Sequence, residues 1–476
     1  MLNDASTRTS TMDLAIPRIP APLEPGFRPS VLYDRAFEQR LSGSGVPLVV
    51  GLLRDGGGFA RLQVPVFPDG HPRAQENNFY VERLIKFLLW QRGGYRLYLG
   101  GPPVLCAELR QVFSPAGRRA DDCRFLGERI YTHPFQAVVC DPDDVPAGCE
   151  TGKELGRHLE GCRIGFDLGA SDRKVSAVVD GRVVYSEEVV WAPGSRTDPE
   201  YHHAEILAAL RAAAAHLPRL DAIGGSSAGI IVDNRPMLAS LFRGVPGERD
   251  AEVKDLFLRL GREMGAPIEV INDGDVAALA GSMSLGANGV LGIALGSSQA
   301  AGYVDRNGHI TGWLNELGFA PIDHDPQAAR DGWLGDAGSG SQYLSQQAVF
   351  RLAPRAGIRI PDGLADAARL AYVQELLEQG HAGALHIWES MGVFLGYALA
   401  HYADFYTLDH VLILGRCTSG RGGTILLEQA HAVLQAEFPE LEGRLRLHLP
   451  DEKSRRIGQA VAAASLPDLR GGRSVG

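Results

Sequence analysis

Apolar and polar positions sort this chain into three stretches. Up to about residue 30 no period is visible, and the abundance of Ser, Thr and Pro predicts a flexible arm. From residue 47 the pattern becomes regular. PLVVGLLRDGGGFARLQVPVF reads as two strands about a Gly-rich turn, NNFYVERLIKFLLWQRGG as a helix with Asn at its start and Gly at its end, and YRLYLGG as a further strand. PFQAVVCDPDDVP adds a last strand before an acidic, proline-bearing linker. Residues 31–160 are expected to form a small α/β domain of their own.

A second pattern opens at residue 163. RIGFDLGA and RKVSAVVDGRVVYSEEVV give strand, turn and strand, after which helical and extended periods alternate through EILAALRAAAAHL, DAIGGSSAGIIV, DAEVKDLFLRLGREMG, PIEVIND and DVAALAGSMSLG. At 289 the theme restarts with GVLGIALGSS, a strand, and QAAGYVDRNGHIT, a hairpin about Asn307-Gly308. Two helical stretches follow, then HVLILG (strand), TILLEQAHAVLQAEF (helix), LRLHLP (strand) and IGQAVAAASL (helix). Two α/β halves, each led by strand, turn and strand, indicate a duplicated architecture with lobes at 161–285 and 286–476, the closing helix free to return to the first lobe.

Composition narrows the class. A chain of 476 residues, 45% hydrophobic with 58 glycines, is long enough for two or three compact α/β domains. Acidic residues outnumber basic ones by 57 to 47, a net charge of −10, which argues against nucleic acid or an anionic membrane as partner. The six cysteines show no CxxC spacing and read as free thiols of a reducing compartment. No apolar run reaches about 18 residues, and the N-terminus lacks a continuous apolar signal core. A soluble cytoplasmic protein is expected.

Four junctions carry candidate chemistry. In RIGFDLGASDRK, Asp167 closes a strand and can hold a hydrated Mg²⁺. The small residues Gly169, Ala170 and Ser171 let backbone N–H groups approach a polyanion, and Lys174 lies on the next strand. GVLGIALGSSQAAGYVD repeats that grammar with Gly296, Ser297 and Ser298. In IEVINDGDVAAL, Asn272 and Asp273 stand where a buried strand meets a helix. That is a good place for a general base, although Asn and Asp also cap helices, a role Asp275 fits as well. HVLILGRCTSGRGG, with Gly415 and Gly420, is a Gly-rich strand-to-helix loop able to take a base and ribose.

In this order the four pieces resemble the two phosphate loops and adenosine loop of the actin-like, ribonuclease H-like two-lobed ATPase fold. Within it they resemble the ROK group (repressors, open reading frames, kinases), over roughly residues 161 to 465. The resemblance implies an α/β sugar kinase using ATP and Mg, with Asp273 as catalytic base. It further implies Asp167 and the two small-residue turns as nucleotide site, and Asn272, Glu316 of NELGF and Ser240 of MLASLFRGV as sugar contacts. The second turn departs from the group's G-T-G pattern. Phe319 stands where the group has histidine, and the cysteines that bind zinc with it are absent, so no structural zinc is expected. The alternative is a non-catalytic ROK-like sugar- or nucleotide-binding regulator. The N-terminal segment shows no basic recognition helix, so DNA binding is not expected. Residues 47–101 read as a worn fragment of the same fold that packs on the kinase body or builds a homodimer interface.

Overall fold

The computed structural model describes residues 15–41, 43–150, 155–170, 172–450 and 452–469, with the side chains of 452–457 excepted. Three sheets organise them. The N-terminal sheet contains β1 (Val46–Leu53), β2 (Phe59–Val66), β3 (Arg96–Gly100) and β4 (Gln136–Cys140) in the order β2-β1-β3-β4. The second contains β5 (Cys162–Leu168), β6 (Asp172–Val179), β7 (Arg182–Val190), β8 (Ala222–Ser227) and β11 (Ile268–Asn272), ordered β11-β8-β5-β6-β7. A short hairpin of β9 (Ile230–Val232) and β10 (Arg235–Leu238) stands beside it. The third contains β12 (Val290–Leu295), β13 (Gln299–Val304), β14 (His410–Leu414) and β15 (Arg446–His448), ordered β13-β12-β14-β15.

The second and third sheets share one plan. In each, the leading strand pairs antiparallel with its hairpin partner and parallel with the strand that follows the first crossover: β5 with β6 and β8, β12 with β13 and β14. Among the described residues the second lobe has no counterpart of β7. Asp305 Oδ1 accepts from the N–H groups of Asn307 and His309, the chain folds sharply, and the expected hairpin shrinks to the bridge Val304–Ile310. The N-terminal sheet is not a third copy: β1 runs antiparallel to β3, where both lobes have a parallel pair. The reading of 47–101 as a worn fragment of the lobes is therefore overturned by topology.

Glycine sets how the last helix docks. Glu452–Ala464 returns to the first lobe so closely that a Cβ on Gly165 would lie 2.2 Å from the Ala460 carbonyl, and one on Gly224 1.7 Å from that of Ala463.

The N-terminal domain is not separate from the lobes. Its helix Glu76–Arg92 is buried on nearly every side, Glu82, Arg83 and Lys86 included, because one face covers its own sheet and the other covers the second lobe. Phe87 packs on Phe405 at 4.3 Å and Trp90 on Phe319 at 4.4 Å, within one continuous core. Asn77 does not cap this helix, which starts at Glu76; its amide brackets the backbone of Phe67 instead. The described part of the expected flexible arm is also pinned. Phe27 sits 4.8 Å from Phe394, the Leu23 N–H donates to Ser390 Oγ, and the Arg18 N–H to Glu437. Its Ser- and Pro-rich composition masks three buried apolar anchors, Ala15, Ala21 and Phe27. Among the described residues no helix is long and apolar enough to cross a membrane.

Candidate active site

Four carboxylates gather where the strand ends of the first lobe meet the second. Asp167 closes β5 and accepts from Ser226 Oγ at 2.8 Å. Lys174 faces it across the β5–β6 ladder, its Nζ 3.7 Å from Asp167 and 3.1 Å from Asp172. Asp273 opens the helix Asp273–Leu285, and Oδ1 of its carboxylate accepts from the Gly274 N–H. Burial, with the negative charge of Asp167 second, raises its carboxyl to about 7. Glu316 is pushed up to about 8 by burial and by the charges of Asp273 and Asp275. Asp275, at about 7, is raised chiefly by burial.

The helix cap falls on Asn272, not Asp275. Asn272 Oδ1 accepts from Gly274 N–H at 2.7 Å and its Nδ2 donates to the Gly229 carbonyl at 2.7 Å, so the amide predicted to meet substrate is largely committed to the backbone. Asp275 ties the lobe to the Glu316 turn instead, accepting from Tyr303 N–H and from Asn315 Nδ2.

That turn is held by the N-terminal domain. The last-turn carbonyls of Glu76–Arg92, which lack partners inside their own helix, accept from it: Asn315 N–H to Gln91 and Glu316 N–H to Trp90, each at 2.9 Å. Asn315 adopts φ of +52°, a left-handed conformation asparagine tolerates, and Tyr406 donates to its side-chain oxygen. Phe319 lies under Trp90, whose indole donates to Asp122 at 2.7 Å. Farther along the segment, Asp336 meets Arg83 at 3.0 Å, Arg119 at 2.9 Å and Lys86 at 3.5 Å in a buried ion cluster. Sequence reasoning missed this clamp because its partners lie far apart along the chain. The available signal was three charges, Glu82, Arg83 and Lys86, set among the large apolar residues of a helix.

The two small-residue turns are closed hairpin ends. The Gly169 N–H donates to Asp172 and its carbonyl accepts from Trp191 Nε1; Ala170 lies between, and Ser171 falls outside the described residues. The Gly296 N–H donates to Ser298, while the carbonyls of Gly296 and Ser297 accept from Gln346 N–H and Gln347 Nε2. This second turn abuts the Glu316 turn: a Cβ on Gly318 would stand 3.5 Å from Ser298 Oγ. Gly415, at φ +98°, lies so near β12 that a Cβ would sit 2.5 Å from the Leu295 carbonyl. Gly420 precedes the helix Arg421–Glu437, whose first N–H donates to Glu378. Ser240 is exposed at the start of the turn Ser240–Phe242, and no contact among the described residues joins it to the four acids.

The donor set suits a hydrated Mg²⁺. No trio of His, Cys, Asp or Glu among the described residues is arranged to hold a metal directly. Asp167 offers hard oxygen, however, and such ions commonly keep their waters and share one or two carboxylates with substrate phosphates. Beside it, Ser227 Oγ on β8 is buried without a partner, an orphaned hydroxyl at the mouth of the same strand ends.

The carboxylate cluster has a consequence for stability. Between pH 6.5 and 8.5, Asp273, Asp275 and Glu316 hold protons in the folded chain that they release on unfolding, so stability falls as pH rises through that window. His401, lowered to about 4 by burial, titrates below it. The melting temperature of the ligand-free protein should drop from pH 6.5 to 8.5, and Glu316→Gln should shrink that drop by raising the pH 8.5 value. A melting temperature that climbs over this range would contradict the cluster.

No protein-family model matches the sequence, and no curated protein matches it. Solved structures do. A ROK hexokinase from Thermus thermophilus aligns with a TM-score of 0.50 at 22% identity, over 63% of this chain and 97% of its own. A ROK family transcriptional regulator, a homolog of the E. coli MLC protein, aligns with a TM-score of 0.50 at 19% identity, over 65% of this chain and 79% of its own. These likenesses establish the fold: two actin-like α/β lobes. More than a third of the chain lies outside either match.

Proposed function

We propose that the chain is a ROK-like sugar kinase that transfers the γ-phosphoryl group of ATP to a sugar hydroxyl. The observation that carries this reading is the placement of Asp273 at a strand end between Asp167 and Glu316, with its carboxyl raised to about 7. A base is most effective when its pKa lies near the working pH, and a protein that only binds sugar has no need of one. Asp273 takes the proton from the attacking hydroxyl. Glu316, fixed by Trp90 and Asn315, accepts from neighbouring sugar hydroxyls, and the free valences of Asn272 add to them. Asp167 and Lys174, with the backbone of 169–171 and 296–298, receive the phosphates; Gly415 and Gly420 border the adenosine side, and Ser240 reaches the sugar from the first lobe as the cleft closes. When bound, Mg·ATP supplies the phosphoryl group and a cation that neutralises its charge. Closing of the lobes excludes water, the competing acceptor.

A regulator that binds sugar without turnover is the second reading. It is favoured by the second turn, where Ser297 and Ser298 carry side chains at positions that glycine leaves open to a γ-phosphate. Thermal-shift titration with Mg·ATP and a hexose panel tests the kinase reading. Stabilisation by both ligands, each enhancing the other, is expected of a kinase; stabilisation by sugar alone would support the regulator.

A further inference from the structure

Three buried side chains join the N-terminal helix to the turn that carries the candidate base. Gln91, in the last turn of Glu76–Arg92, reaches the Tyr406 phenol and donates to the Phe405 carbonyl at 3.2 Å. Tyr406 donates to Asn315 Oδ1 at 2.9 Å, and Asn315 Nδ2 donates to Asp275 Oδ1 at 3.1 Å. We propose that Tyr406, Asn315 and Asp275 form a positioning relay, anchored on the N-terminal helix, that fixes the spacing between Asp273 and Glu316. The inference rests on the kinase reading above and adds what keeps the base and the sugar contact in register.

The relay ends beside each of the two acids. Asn315 immediately precedes Glu316, and Asp275 shares the first turn of Asp273–Leu285 with Asp273. That turn is itself pressed on β13. A Cβ on Gly274 would stand 2.3 Å from the Ala301 carbonyl, and Asp275 Oδ1 also accepts from the Tyr303 N–H at 3.2 Å. The Asn315–Asp275 bond therefore ties the Glu316 turn to the same point that holds the base. Such spacing matters at an acceptor site, because a misplacement of about 1 Å can cost about 10²-fold in rate.

Asn315 carries the features this link needs. Its left-handed φ of +52° is a conformation that glycine takes readily. An asparagine there adds an amide, and each polar group of the residue finds a partner. Its N–H donates to the Gln91 carbonyl and its carbonyl accepts from the Leu317 N–H, both at 2.9 Å. Burial holds the Tyr406 phenol well above its ordinary value, so it stays a donor. Asn315 Oδ1 must face it, which leaves Nδ2 for Asp275. Tyr406 cannot swing away, since its ring packs on Tyr303 at 4.9 Å and on Trp313 at 5.6 Å. All three members are buried, so water does not compete for these bonds.

Initial rates of the full chain with Mg·ATP and hexoses (glucose, mannose, N-acetylglucosamine) test this. Tyr406→Phe keeps the ring and removes the donor; Asn315→Gly keeps the left-handed backbone and removes the amide. Each should lower kcat/KM for the sugar about ten-fold or more while the KM for Mg·ATP is unchanged. Because both act through one chain of bonds, the double variant should be no worse than Asn315→Gly alone. Wild-type kcat/KM in either variant would overturn the relay and leave the kinase reading intact. So would losses that multiply in the double variant, or a KM for Mg·ATP that rises as far as that for sugar. A wild-type chain that binds sugar without turnover would overturn the kinase reading instead. The relay is then read from sugar affinity by calorimetry: weaker binding in both variants supports it, and equal binding overturns it. A chain that binds none of these sugars overturns both.

Discussion

Asp273→Asn will lower sugar-dependent phosphoryl transfer by about 10²–10⁴-fold, the usual contribution of a positioned general base. The side chain keeps its shape and can still accept from the Gly274 N–H, so the helix start is preserved. What it loses is the ability to take a proton, together with one of the charges that raise Glu316. The same substitution will therefore raise the melting temperature above pH 7 while removing activity. A misfolded variant cannot give that combination. Sugar binding by calorimetry should persist, separating loss of chemistry from loss of the site. A variant with unchanged turnover would remove Asp273 from the mechanism.

Asp336→Ala will destabilise the protein by about 3–5 kcal/mol at neutral pH, because it leaves Arg83, Lys86 and Arg119 buried without their shared carboxylate. Those cations hold the Asp336 carboxyl well below the usual range. Its contribution is thus complete above the ordinary aspartate pKa of about 3.9 and is lost as pH falls below that value. The cost of the substitution, read from denaturant midpoints, should be full at pH 7 and smaller near pH 3. Since Lys86 and Trp90 both contact Asp122, and Trp90 accepts the Glu316 N–H, loosening the cluster should also raise the KM for sugar more than it lowers kcat. An equal melting midpoint for variant and wild type at pH 7 would show that the N-terminal domain does not clamp the Glu316 turn.

Much of the lobes was legible because each candidate site residue follows a strong local pattern. Asp167 and Asp273 end apolar strands, and the small-residue turns interrupt an otherwise unbroken alternation. The N-terminal domain was legible as elements but not as a partner. Its helix is embedded on two faces, and two-sided burial with paired charges reads, in one dimension, as an amphipathic surface helix. The missing third strand of the second lobe was hidden for a different reason. DRNGH promises a hairpin turn, and only the absence of a matching strand after it, a tertiary fact, converts the turn to an isolated bridge. Asn272 and Asp275 compete for one cap by propensity alone. The deciding partners, Gly229 for the first and Tyr303 with Asn315 for the second, come from other segments.

The most direct measurement is ADP release from Mg·ATP by the wild-type chain, with and without sugars from the titration panel, paired with detection of a phosphorylated sugar by ³¹P resonance. Release that requires a sugar and yields a stoichiometric sugar phosphate is the expected result. A chain that binds sugar yet releases no ADP, or releases ADP at the same rate without sugar, would contradict phosphoryl transfer from Mg·ATP to a hydroxyl held at Asp273.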